Sequence, residues 1–146
     1  MKEQFKLFTV LISSINRNIR KVKTEIMANY DLKCPHVSTL YYLYVEEKLT
    51  LKELCTLCNE DKGSISRSVK GLAEDGLVDT NSISTKYKNK LSLTEKGKVI
   101  GQEIAKKIDI AVMQATEGLS EDEKNSVYRG LSLINKNLDN FSLTEK

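Results

Sequence analysis

The chain has 146 residues and a formal net charge of only +3, which admits one domain with helical extensions and does not by itself point to nucleic acid. Hydrophobic residues make up 40% and charged residues 29%, a balance that excludes a disordered chain. No apolar run approaches the ~20 residues of a membrane span, no secretory leader is visible, and an odd count of three cysteines fits reduced thiols in a cytoplasmic protein better than a disulfide framework.

The first element is the clearest. Phe5, Phe8, Ile12, Ile15, Ile19, Val22 and Ile26 recur at spacings of three and four, which predicts a long helix with an apolar seam. Leu7 and Leu11 widen it. Each such side chain is worth roughly 1.5–3 kcal/mol when buried, so the seam needs a partner helix, in this chain or in a second copy. Asp31 to Pro35 breaks the helix, and Pro35 suits the first turn of the next, where Val37, Leu40, Tyr41 and Tyr44 share a face.

Thr50 is placed to cap a short helix bearing Leu51, Leu54, Leu57 and two cysteines. Asn59 to Gly63 reads as a turn. A second helix is expected from about Lys62 to Asp75, with Ile65, Val69 and Leu72 inward and Ser64, Arg67, Ser68 and Gly71 outward. Gly76 ends it as the residue past the cap. Leu77-Val78 starts a strand, Asn81 to Lys90 forms a tip, and Lys90 to Leu93 returns. Thr94 caps a further helix striped with Ile100, Ile104 and Ile108, which Glu117-Gly118 breaks. Ser120 and Glu123 form a capping box for a last helix with Val127, Leu131, Ile134, Leu138 and Phe141 in line.

The predicted fold is mainly α with a small β-hairpin: a winged helix-turn-helix flanked by N- and C-terminal dimerisation helices. Charge is distributed to match. Residues 1–33 carry +4, 34–61 carry −3, 62–98 carry +4 and 99–146 carry −2. The second helix and the hairpin are thus the positive part of the reading domain, where phosphates would lie.

A helix entering a major groove needs small or basic outward side chains. Ser64, Ser66, Arg67 and Ser68 meet that need, with Lys62 and Lys70 at the flanks. Arg67 can pair bidentately with guanine or with a phosphate, and the helix N-terminus adds N–H donors for phosphate. On the hairpin, Lys86, Tyr87, Lys88 and Lys90 suit a wing along the backbone or the minor groove. The expected partner is double-stranded DNA.

These residues carry a resemblance. Leu51-Lys52-Glu53-Leu54, Ser66-Arg67 with Val69 and Leu72, Gly76-Leu77-Val78 and Leu93-Thr94-Glu95-Lys96-Gly97 resemble the MarR family of winged-helix regulators, over nearly the whole chain. The resemblance implies a single MarR-like domain over 1–146, with 35–95 the winged helix-turn-helix and 1–30 and 96–146 the dimerisation helices. It also implies a homodimer on a pseudo-palindromic operator, and transcriptional regulation, usually repression relieved by a small ligand or by oxidation. One departure stands out. The family's wing usually carries Asp-x-Arg, and those positions fall here at Thr85 and Tyr87. Lysine lacks the planar fork of arginine, so this wing is expected to grip phosphate and read little sequence.

Other residues suggest sensing. Tyr30, His36, Tyr41 and Tyr44 lie near the junction where the family binds phenolic effectors, and tyrosine offers an apolar body with a hydroxyl handle. A small aromatic effector is therefore a candidate partner. Cys34, beside Pro35, is an alternative thiol sensor. Cys55 and Cys58 share a helix face and are expected to pack as small hydrophobes. A zinc site would need Cys34 and His36 as well, and nothing in the spacing demands it. No metal, no cofactor and no membrane partner is expected. No nucleophile elbow, phosphate-cradling glycine loop or metalloprotease motif supports an enzyme; the competing reading is a winged-helix module that docks protein instead of DNA.

Overall fold

The computed structural model describes residues 2–32, 36–79 and 90–142. It divides into two compact units, Met1–Ile110 and Ala111–Lys146. In the first, α1 (Lys2–Met27) is followed by α2 (His36–Glu46), β1 (Leu49–Thr50), α3 (Leu51–Cys58), α4 (Lys62–Glu74) and β2 (Lys90–Leu91). Helix α5 (Glu95–Ala115) begins in the first unit and ends in the second, where α6 (Glu121–Asp139) follows.

Local sequence explains most of the boundaries. Thr50 and Glu53 form a reciprocal capping box at the start of α3, which satisfies two N–H groups that the helix cannot. Asn59 closes α3 in the left-handed conformation, at φ 51°. Asp61 caps α4, its carboxylate accepting the Ser64 N–H at 2.7 Å. Past α4, Gly76 has φ 72°, its N–H donates to the Ala73 carbonyl at 3.0 Å, and the Leu77 N–H donates to that of Leu72 at 2.8 Å. This is a Schellman closure, which needs a left-handed residue at Gly76. Ser120 and Glu123 form the expected capping box of α6.

The core of the first unit gathers Val37, Leu40 and Leu43 of α2, Leu54 of α3, Ile65, Val69 and Leu72 of α4, and Leu77, Val78, Leu91, Leu93 and Ile104. Helix α1 contributes only its end, through Ile26 and Met27. Its seam from Phe5 to Val22 stays exposed. In the second unit α6 buries no residue, and Val127, Leu131, Ile134, Leu138 and Phe141 are exposed. Among the described residues no helix is long and apolar enough to cross a membrane.

The strand pairing adds a short strand, β1, to the hairpin expected. β2 pairs antiparallel with β1, in the register Leu49↔Leu91 and Thr50↔Lys90. Among the described residues, the outgoing arm bridges the returning one at Val78↔Leu93, supported by the Asp79 N–H on the Ser92 carbonyl at 2.9 Å. β1 has two residues, too few for the alternation that reveals a strand. Leu49 and Leu91 are both buried, and their burial explains the pairing.

Candidate nucleic-acid interface

Helix α4 puts two faces to different uses. Ile65, Ser68, Val69 and Leu72 are buried, while Lys62, Gly63, Ser66, Arg67 and Lys70 are exposed and Ser64 is half-buried. Lys62, Ser66 and Lys70 follow one another at i, i+4 and i+8, with Gly63 and Arg67 alongside. The result is a strip with three cations, small side chains between them, and the N–H groups of the first turn at one end.

Ser68 corrects the sequence reading. It is only 4% exposed, and its Oγ lies 3.2 Å from Oγ1 of the buried Thr39 on α2. It stands three residues after Ile65 and four before Leu72, so it belongs to the inward stripe. Gly71 is also turned inward, towards α2. A Cβ there would meet the His36 ring at 3.1 Å, so its lack of a side chain lets α2 and α4 approach.

The Leu93-Thr94-Glu95-Lys96-Gly97 string clamps the root of the wing to the end of α4. The Thr94 N–H donates to the Leu77 carbonyl at 3.0 Å, and its hydroxyl donates to the Gly76 carbonyl at 2.7 Å. The same hydroxyl oxygen accepts the Gly97 N–H at 3.1 Å, so Thr94 both caps α5 and holds the turn. Lys96 Nζ donates to the Asp75 carbonyl at 3.2 Å. A Cβ at Gly97 would fall on the Leu77 carbonyl oxygen, so only glycine fits. Of the wing cations, Lys90 is exposed in β2 opposite Thr50, at the root of the wing. Lys86, Tyr87 and Lys88 lie outside the described residues.

The candidate effector residues do not converge. Tyr30 donates to Glu103 Oε2 at 2.6 Å, with Lys107 Nζ 4.7 Å above its ring. Burial, then the hydrogen bond and charge of Glu103, push its phenol up to about 12. His36 packs on Gly71. Tyr41 stacks edge to face on Tyr42, with ring centroids 5.2 Å apart. Tyr44 packs on Gly101 of α5 and is the one of the four that lines a cleft of about 670 Å³, between the end of α2, the root of the wing and the start of α5.

Cys55 and Cys58 are half-buried against the core. Burial pushes the Cys58 thiol up, against the opposing effects of a Thr39 hydrogen bond and the Lys23 charge. Among the described residues no group of three or more His, Cys, Asp or Glu is placed to hold a metal, and Cys34 lies outside them.

Two features escaped sequence reasoning. The sequence places Asp61 in a turn, whereas it caps α4, and an aspartate ahead of an apolar-periodic run is the signal for that cap. The clamp made by Thr94 joins residues 18 apart, and no local pattern reports it.

Residues 30–83 match the model of the MarR family. This central segment belongs to that family. Solved MarR structures extend the likeness to the rest of the fold. A MarR family regulator from Neisseria meningitidis is 20% identical with a TM-score of 0.81, covering 94% of each chain. A MarR regulator from Silicibacter pomeroyi is 26% identical with a TM-score of 0.74, covering 93% of this chain and 88% of its own. A third, from Listeria monocytogenes and solved with a 26mer DNA, is 21% identical with a TM-score of 0.75, covering 87% of this chain and 85% of its own. No curated protein matches the chain. The MarR fold is that of a winged helix, and α4 occupies the second-helix position of its helix-turn-helix.

Proposed function

We propose that the chain is a homodimeric, sequence-specific DNA-binding transcriptional regulator, a cytoplasmic repressor modulated by a small ligand, and not an enzyme. The observation that carries this reading is the exposed face of α4, where Lys62, Ser66, Arg67 and Lys70 stand clear of the core. In this reading α4 enters the major groove, Arg67 reads a base edge, and Ser64, Ser66, Lys62 and Lys70 hold phosphates. The Listeria relative solved with DNA supports it.

Residues 35–95 act as the reader, and 1–30 and 96–146 supply dimerisation helices. The exposed apolar faces of α1 and α6 support that division, each being a face that a second copy would cover. Two readers related by a two-fold axis would recognise a pseudo-palindrome. Lys86, Lys88 and Lys90 grip phosphate from the wing. A small aromatic effector would act on the domain junction, where Tyr44 lines an open cleft.

Selection of bound sequences from a random duplex pool tests the reading, followed by a salt titration on the recovered site. A recovered palindrome is expected, with affinity falling steeply as salt rises. Arg67→Ala is expected to lose about 1–3 kcal/mol of discrimination. A chain that binds no duplex even at low salt would instead be a winged-helix module for protein docking.

A further inference from the structure

The thiols of α3 have no part in the DNA-facing strip. Cys55 and Cys58 stand three residues apart, on the stripe that also carries Leu51 and Leu54. Leu54 is fully buried, whereas both cysteines are half-buried against the core. The pair therefore sits at the rim of the stripe, where the interior meets solvent. Thr39 of α2 hydrogen-bonds to Cys58, which also feels the charges of Lys23 on α1, of Glu60 and of Cys55. Tyr42 of α2 feels the charge of Cys58 in turn. Thr39 Oγ1 lies 3.2 Å from Ser68 Oγ, so the thiol is two hydrogen bonds from the interior face of α4.

Helical spacing decides what such a pair can do. Residues three apart on a helix have Cβ atoms about 5–6 Å apart, whereas a disulfide needs about 3.5–4.5 Å. Closing one would distort the last turn of α3. Metal–thiolate bonds of about 2.3 Å in a linear S–metal–S arrangement put the sulfurs roughly 4.6 Å apart, a span the helix offers as it stands. Burial pushes the Cys58 thiol up, which disfavours a free thiolate and its oxidation; a coordinating cation displaces the proton outright. Structural zinc takes four ligands, and among the described residues no group of three or more His, Cys, Asp or Glu is placed to hold a metal. Thiolate pairs without further ligands suit soft cations. We infer that Cys55 and Cys58 form a two-coordinate site for one soft monovalent cation, of copper(I) chemistry, at the rim of α3 beside α2. Two thiol protons pass to solvent, two metal–sulfur bonds form, and the cation keeps its oxidation state. The complex carries one negative charge, which Lys23 and the Thr39 hydroxyl favour and Glu60 opposes. The site does not depend on the reading of α4 as a DNA reader.

The test titrates the full chain, reduced and free of oxygen, with silver(I) against a competing monothiol. Silver(I) binds thiolates as copper(I) does, without exchanging electrons. One ion per chain is expected to be retained, with a rise in thermal midpoint. A single thiol loses the advantage of the linked pair, so Cys55→Ala and Cys58→Ala are each expected to weaken binding about 100-fold or more. Cys55→Ser, closer in shape to the wild type, is expected to do the same, and a thermal midpoint without metal checks that each variant is folded. Cys34→Ala is expected to keep the wild-type affinity. X-ray absorption of the copper(I)-loaded chain is expected to show two sulfur neighbours, and zinc(II) is expected to be lost to the same competitor. Full affinity in Cys55→Ala and Cys55→Ser, or a loss in Cys34→Ala as large as theirs, would overturn the proposal. A third sulfur around copper(I), or zinc(II) held as tightly as silver(I), would overturn it as well.

Discussion

Ser68 Oγ of α4 lies 3.2 Å from Thr39 Oγ1 of α2, both in the interior. The pair joins the second helix of the helix-turn-helix to the helix that supports it. Removing the Ser68 hydroxyl takes one buried hydrogen bond from Thr39, which keeps the Cys58 thiol as a partner. Ser68→Ala is expected to cost about 1 kcal/mol of stability, with duplex affinity unchanged under conditions where the protein stays folded. Denaturant titration and a binding isotherm check this. Lost affinity at unchanged stability would return Ser68 to the DNA-facing side.

Glycine is required at two positions near the wing root for different reasons. Gly97 faces the Leu77 carbonyl oxygen so closely that any Cβ collides with backbone. Gly97→Ala is expected to cost about 3 kcal/mol or more, lowering the thermal midpoint by roughly 10 °C. Gly76 has open space around it but φ 72°, so Gly76→Ala should cost only about 1 kcal/mol. Equal losses in the two variants would contradict the close approach at Gly97.

Tyr30 ties the chain after α1 to Glu103 of α5. Its phenol titrates at about 12 instead of the usual 10. A folded-state value above the unfolded one means stability that is fully present below pH 10 and lost as the pH rises towards 12. Tyr30 is only partly buried, so the contribution is on the order of 1 kcal/mol after screening. Tyr30→Phe is expected to be less stable than wild type by that amount at pH 8, with the gap closing by about pH 12. Denaturation midpoints across that range would show it, and a gap that persists at pH 12 would remove the hydroxyl as its source.

The exposed seam of α1 predicts association. The thermal midpoint is expected to rise with protein concentration. Ile15→Glu, which places a charge in the seam, is expected to shift sedimentation towards monomer, since burying an unpaired charge costs several kcal/mol. A wild-type chain that stays monomeric at high concentration would rule out the homodimer.

Much of this protein was legible in its sequence because the relevant signals are local. Thr50 with Glu53, Ser120 with Glu123, Gly76 and Gly118 act through the residues beside them, and helix boundaries followed from those contacts. Periodicity identified Ile65, Val69 and Leu72 as the buried stripe of α4, and it left Lys62, Ser66, Arg67 and Lys70 for solvent. The width of that stripe was not legible. Whether Ser68 at its edge turned in or out depended on Thr39, 29 residues away. The same holds for β1, whose partner lies beyond α4, and for the four effector candidates, which packing distributed among α5, α4 and Tyr42.

By itself, then, the sequence determined the order of the helices, the caps at Thr50 and Ser120 and the exposed cations of α4, since each follows from side chains within about one helical turn. Only the tertiary structure decided that Ser68 is interior, that Gly97 admits no side chain, and that Leu49 of β1 pairs with Leu91 of β2. Those outcomes depend on the close approach of particular atoms, at distances where a single methyl group changes the result.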